Sequence, residues 1–215
     1  MKLFPFLILV VVASISNMPK IHAQQFVESS TGRLPIFNEY SSQVAIADVD
    51  GDGDLDLCFA NGRGFSSASL QERVRLLIND GSATFSDESQ ARLGNLLGYG
   101  RDVEFGDIDG DGDLDVVSAS ANDATIAWYS NLGGGLFSSP LTIDASANGA
   151  RWVTSADLDA DGDIDIVAAI EFLNEVAWYE NLGNGLFGSR SIISTNVNRP
   201  KAVDVGDVDG NGTID

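Results

Sequence analysis

A nine-residue acidic pattern recurs four times along the chain and constrains its fold more than any other feature. The copies are Asp48-Val-Asp50-Gly-Asp52-Gly-Asp54-Leu-Asp56, Asp107-Ile-Asp109-Gly-Asp111-Gly-Asp113-Leu-Asp115, Asp157-Leu-Asp159-Ala-Asp161-Gly-Asp163-Ile-Asp165 and Asp207-Val-Asp209-Gly-Asn211-Gly-Thr213-Ile-Asp215. Their starts are 107−48 = 59, 157−107 = 50 and 207−157 = 50 residues apart, so one supersecondary unit repeats. Carboxylates at positions 1, 3, 5 and 9 of a loop that turns at glycine in position 6 repel one another unless a hard cation sits among them. A donor set made only of oxygen suits calcium. In copy one the side-chain ligands are expected to be Asp48, Asp50, Asp52 and Asp56, with Asp54 offering its backbone carbonyl; copies two and three repeat the set.

An acidic, solvated turn without metal is the bland alternative, and four copies in register weigh against it. An EF-hand needs a bidentate Glu at position 12 and a following helix. Position 12 here is Phe59, Ser118 and Ala168, and the runs that follow the loops, such as Leu57-Cys58-Phe59-Ala60 and Ile166-Val167-Ala168-Ala169, read as strands.

Each repeat contains four short strand signals. Around copy three they are Trp152 to Ala156, Ile166 to Ile170, Glu175 to Glu180, and the pair Leu186-Phe187 with Ile192-Ile193. Asn79, Asn131 and Asn181 stand six residues before Phe85, Phe137 and Phe187, with glycines between that permit a tight hairpin. Val44, Val103, Val153 and Val203 precede their loops by four residues, and Leu55, Leu114, Ile164 and Ile214 occupy loop position 8 as apolar pins. A four-stranded unit at this period predicts an all-β chain of β-propeller blades. The repeats lie near 43–92, 102–144, 152–194 and 202–215, the last truncated. Phe26 precedes Asp48 by the same 22 residues that separate Phe85 from Asp107, so it reads as the outer strand of another blade. The chain is therefore expected to be an incomplete propeller of about three blades and part of a fourth. The longer first interval reflects an insertion between Asn61 and Glu72, a candidate contact surface.

The loops, together with Trp128-Tyr129-Ser-Asn-Leu-Gly-Gly-Gly and Trp178-Tyr179-Glu-Asn-Leu-Gly-Asn-Gly downstream, resemble FG-GAP repeats of the VCBS type, similar to those in the N-terminal propeller of integrin α chains. The resemblance implies calcium in the loop between the first two strands of each blade. It carries ligand roles onto Asp48, Asp50, Asp52 and Asp56 and their equivalents. The Gly-Ala-Pro element of integrin repeats is missing, so an integrin-like partner is not implied.

Residues 1–23 have the order of a cleaved signal peptide: Lys2, an apolar run from Leu3 to Ile15, then a polar stretch ending Ile21-His22-Ala23. The run is too short for a comfortable membrane span, although a retained signal anchor is an alternative. A secreted chain beginning at Gln24 is expected, with residues 24–215 forming the propeller segment and containing no membrane span. Cleavage removes His22, the only histidine, and with it Ser-His-Asp or Cys-His catalysis and histidine-ligated zinc. Cys58 is the only cysteine and lies in an apolar run, as a core residue would.

Formal charge is 12−32 = −20, and 18 of the 32 acidic residues lie in the four loops. That balance disfavours nucleic acid and anionic membrane surfaces. Arg101, Arg151 and Lys201 fall six residues before their loops, with Ser42 at that station in copy one; they either line a rim for acidic groups or balance local acidity. Trp128 and Trp178 share a station with Leu76, which favours packing over sugar stacking. Asn211-Gly-Thr213 fits a glycosylation sequon, but Asn211 is an expected ligand. Two functional classes remain. One is a secreted calcium-binding module for a glycan or protein. The other is an extracellular enzyme on the same scaffold, a polysaccharide lyase or sugar dehydratase, with Arg101, Arg151 and Tyr99 as the first residues to suspect.

Overall fold

A computed structural model describes residues 32–36, 39, 41–62, 72–94, 97–98 and 100–214. The signal-like segment, Phe26 to Glu28, Tyr99, Asp215 and most of the insertion after Asn61 lie outside the described residues. In chain order the elements are β1 (Ser41–Ala47), β2 (Asp56–Asn61), β3 (Glu72–Arg73), β4 (Arg75–Asn79), β5 (Phe85–Asp87), α1 (Ser89–Arg92), β6 (Leu97–Gly98) and β7 (Gly100–Gly106). They continue with β8 (Asp115–Ser120), β9 (Thr125–Tyr129), β10 (Leu141–Asp144), β11 (Ala150–Ala156), β12 (Asp165–Ile170), β13 (Glu175–Tyr179) and β14 (Ser191–Ser194).

Three four-stranded antiparallel sheets result, ordered β1-β2-β4-β5, β7-β8-β9-β10 and β11-β12-β13-β14. Each acidic loop links the first two strands of its sheet. The innermost strands β1, β7 and β11 lie side by side, so the sheets stand as consecutive blades in an open, unclosed arc, a partial propeller. The fourth copy forms its loop turn, but residues 201–206 have no ladder partner among the described residues and form no strand. A strand needs a hydrogen-bonded neighbour, and the apolar pattern around Val203 cannot replace one.

Packing occurs between blades. Along β8, Val116 joins Val49, Cys58, Leu76 and Ile78 of the first blade, whereas Val117 and Ala119 join Val153, Ile166 and Ala168 of the third. The period-2 alternation of a strand thus feeds two different cores, and for this reason β2 and β12 are buried at every position. Each fully buried Val, Leu or Ile is worth about 1.5–3 kcal/mol. Cys58 is wholly buried and its thiol pKa is pushed up to about 12 by desolvation, as a core role requires.

The outer edge differs between blades. In blade one Phe85 begins β5 directly, whereas Phe137 and Phe187 each make an isolated bridge, to Asn131 and Asn181, before the chain reaches β10 and β14. The insertion after β2 re-enters the described structure as β3, which pairs with β6. Among the described residues no helix is long and apolar enough to cross a membrane.

Candidate metal centre

Each loop is folded by its own carboxylates. Asp48 accepts backbone N–H groups from Gly51 at 2.8 Å and Gly53 at 2.9 Å, and Asp52 accepts that of Asp54 at 2.9 Å. The same bonds recur from Gly112 to Asp107 and Asp113 to Asp111, then from Gly162 to Asp157 and Asp163 to Asp161. In the fourth loop Asp207 accepts Gly210, Asn211 and Gly212, while Asn211 accepts Thr213. Position 6 has φ near +95°, from +90° at Gly212 to +100° at Gly162, which only glycine adopts without strain.

The last carboxylate of each of the first three loops is wholly buried and ties three pieces of backbone together. Asp56 accepts Val49 N–H at 3.1 Å and Asn79 N–H at 2.8 Å; Asp115 accepts Ile108 at 2.9 Å and Asn131 at 2.7 Å; Asp165 accepts Leu158 at 3.1 Å and Asn181 at 2.7 Å. Burial raises the pKa of all three, to about 6 for Asp115, against these N–H groups, which lower it.

Three carboxylate groups converge closely enough to hold one ion. Ligand atoms of Asp48, Asp50 and Asp56 lie within 4.8 Å of one another, as do those of Asp107, Asp109 and Asp115, and those of Asp157, Asp159 and Asp161. The third triad thus takes its position-5 residue where the first two take position 9. Asp52 and Asp111 stand outside their triads, as does Asp165. The position-7 side chains Asp54, Asp113 and Asp163 turn toward the hairpin glycines Gly81, Gly133 and Gly183. Asp207, Asp209, Asn211 and Thr213 bond among themselves.

The convergence fits a cation. Asp50 Oδ1, Asp107 Oδ1 and Asp109 Oδ1 are buried without a hydrogen-bond partner, an arrangement that costs several kcal/mol for a charged group. Like charges this close need a counter-ion of oxygen-seeking character. Blade one also supplies a protein cation. Arg92, at the end of α1, bonds Asp50 Oδ2 at 3.2 Å and Glu88 at 2.6 Å and donates to the Gly134 carbonyl of the next blade. Loop spacing did not single out Arg92; its signal in the sequence is the i,i+4 pair with Glu88.

Two further features escaped the sequence reading. Asn131 and Asn181, read as turn markers, join adjacent blades: Asn131 Nδ2 donates to Val49 O at 2.8 Å and Leu114 O at 3.1 Å, and Asn181 Nδ2 donates to Ile108 O at 2.8 Å and Ile164 O at 3.0 Å. Loop position 2 is consequently the deeper apolar pin. Val49 and Ile108 are buried, whereas Leu55 and Leu114 at position 8 are half-buried. Val208, with no following blade against it among the described residues, is 85% exposed. Trp128 is buried and lies against Gly185, as the packing reading expects, and Trp178 is half-buried.

The model of the FG-GAP-like repeat family matches residues 65–118, 107–168 and 157–215. No curated protein matches the chain. Among solved structures it is similar to the V. cholerae biofilm matrix protein Bap1, with a TM-score of 0.50 and 23% identity over 82% of this chain and 28% of that one. It is also similar to an Agrocybe aegerita lectin described as recognising non-reducing terminal N-acetylglucosamine, with a TM-score of 0.48 and 21% identity over 73% of this chain and 39% of that one. The chain therefore spans well under half the length of either protein.

Proposed function

We propose, from the premise that the chain belongs to the FG-GAP-like repeat family, that it is part of a secreted, calcium-binding propeller that binds a glycan or a protein. The observation that carries the calcium reading is the set of buried, unpartnered carboxylate oxygens on Asp50, Asp107 and Asp109 at the centres of their loops. The ligand residues are Asp48, Asp50, Asp52 and Asp56, Asp107, Asp109, Asp111 and Asp115, Asp157, Asp159, Asp161 and Asp165, and Asp207, Asp209, Asn211 and Asp215. The position-7 residues Asp54, Asp113, Asp163 and Thr213 contribute through their backbone. A bound calcium supplies the counter-charge, and the chain's own groups do the rest. The position-1 carboxylate shapes the turn, and the position-9 carboxylate clamps the loop to its blade.

The binding reading is supported by a cavity of about 620 Å³ between the first two blades. Its lining includes Ser118, Ser120, Thr125, Ser138, Ser139 and Thr142 beside the ring of Tyr129. Hydroxyl groups around an aromatic wall match the mixed surface of a sugar. Export with cleavage after Ala23 belongs to the same proposal, and mass spectrometry of the secreted chain should find Gln24 at its start.

The test incubates the secreted protein, in calcium, with a panel of neutral and acidic polysaccharides while following both retention and the absorbance of unsaturated products. Retention without turnover is the expected result. Product formation would overturn the binding reading in favour of a lyase, and unchanged retention after chelation would remove calcium from it.

A further inference from the structure

In the first triad one carboxylate oxygen already faces a cation. Asp50 Oδ1 is buried without a hydrogen-bond partner, while Asp50 Oδ2 accepts Arg92 Nη2 at 3.2 Å. The guanidinium is held by two further groups: Nε donates to Glu88 Oε2 at 2.6 Å, and Nη1 donates to the Gly134 carbonyl in the hairpin of the second blade. The Arg92 carbonyl accepts the N–H of Phe137, in the same hairpin, at 2.9 Å. Glycine at 135 leaves room for this arrangement, because a Cβ there would come within 2.6 Å of Arg92 Nη1 and 3.2 Å of Asp50 Cβ. Arg92 therefore links the first acidic loop, α1 and the second blade.

The second loop is built differently at the same oxygen. Asp109 Oδ2 accepts the Ser130 hydroxyl at 3.0 Å, a neutral donor. Asp107 Oδ1 is buried without a partner, whereas its counterpart Asp48 Oδ1 accepts the Gly51 N–H at 2.8 Å. Each loop has five carboxylates, Asp48, Asp50, Asp52, Asp54 and Asp56 in the first and their equivalents in the second. Glu88 offsets Arg92 in the formal sum, and Asp87 beside it is paired with Arg75 at 2.6 Å. Net charge therefore does not separate the two loops. What separates them is the group in contact with the position-3 carboxylate: a fixed cation in one and a hydroxyl in the other.

We propose that Arg92 is a built-in counter-ion of the first loop, holding that loop to the second blade when no metal is bound and weakening its affinity for calcium. This rests on the calcium reading above and assigns one residue a role in it. A divalent ion on Asp50 Oδ1 meets the charge of Arg92 across a single carboxylate. The side chains of Arg92 and Asp50 are only 19% and 13% exposed, so water screens that repulsion in part. The coupling is reciprocal: calcium in the first loop loosens the contact between Arg92 and Asp50 by as much as that contact weakens calcium.

The experiment titrates calcium chloride into the metal-free full chain by calorimetry and follows thermal melts in chelator and in calcium. Arg92→Gln should tighten one site by roughly tenfold, the scale of one unit charge near a divalent ion, and leave the others unchanged. The same variant should melt below the parent in chelator, and calcium should narrow the gap. Adding Asp50→Asn should remove the tightened site. Glu88→Gln leaves the guanidinium with less of its charge offset and should weaken one site by about threefold. Its side chain is 34% exposed, so this variant should fold as the parent does and decides the matter if Arg92→Gln does not fold. Calcium affinity that neither variant moves in its stated direction, or an Arg92→Gln deficit equal in chelator and in calcium, makes Arg92 an interface contact only; it overturns this role and leaves calcium binding standing. A tightened site that survives Asp50→Asn overturns the assignment to the first loop. Absence of calcium binding in the parent overturns this proposal and the calcium reading together.

Discussion

The side-chain amide of Asn131 donates to the carbonyl of Val49, 82 residues earlier in the chain, at 2.8 Å. Val49 in turn donates its N–H to Asp56 of its own loop, so one residue of the first loop is held through both of its backbone polar groups. Asn181 repeats the arrangement on Ile108. Blade order is thus written into hydrogen bonds as well as apolar contact.

Replacing Asn131 with Ala removes both donors to the Val49 and Leu114 carbonyls and the acceptor for the N–H groups of Gly133 and Gly135. Leaving buried backbone groups unpartnered costs about 1–3 kcal/mol each, partly relieved by water. A loss of roughly 2–4 kcal/mol is expected in urea unfolding. Asn79→Ala should cost less, because Asn79 bonds within its own blade, to Leu55 O, Gly81 and Ala83.

Calcium should raise the melting temperature. Extracellular sites of this chemistry bind at about 10⁻⁴–10⁻³ M, so a few millimolar calcium adds on the order of 1–2 kcal/mol per site if only the folded chain binds. Asp109→Asn should remove one site's share, since it weakens a carboxylate whose Oδ1 has no hydrogen-bond partner. Calorimetry in calcium and in chelator reads both effects; identical melts would reject the metal.

Asp102 makes stability depend on pH. It is 1% exposed, accepts the Val153 N–H at 2.8 Å across the gap between β7 and β11, and burial pushes its carboxyl up to about 7. Between about pH 4 and pH 7 the folded chain keeps a proton that the unfolded chain has released. The Asp102 contribution therefore falls as pH rises through that window and is level above it. Asp102→Asn keeps an oxygen for Val153. It should be more stable than the parent at pH 8, by on the order of 1–3 kcal/mol, and lose that advantage near pH 4.

Ala160 stands where the other loops have glycine, and it has φ of +62°. A left-handed conformation costs a Cβ-bearing residue about 1–2 kcal/mol, offset in part by the greater chain entropy of glycine. Ala160→Gly should stabilise the third blade by up to about 1 kcal/mol. Gly185→Ala should do the opposite and more strongly, because its Cβ would come within 2.3 Å of Trp128 Cζ2. Paired thermal melts of the two variants read the contrast.

The repeat, the four strands per unit and the place of each acidic loop were legible in the sequence because they are local. Strand alternation, glycine at the turn and carboxylates two residues apart act within one blade and need no knowledge of its neighbours. The same reading took Asn131 and Asn181 for turn residues and named position 8, but not position 2, as an apolar pin. Their inter-blade bonds depend on where the previous blade lies, and no spacing rule carries that. It likewise placed Arg101 and Arg151 six residues before their loops without showing that a bulge removes both from the ladder. Only the packing of β7 against β11 sets the two bulges in neighbouring strands. Blade chemistry follows from residues near one another in the chain; the surfaces between and across blades follow from contacts roughly one repeat or more apart, which only the folded arrangement sets.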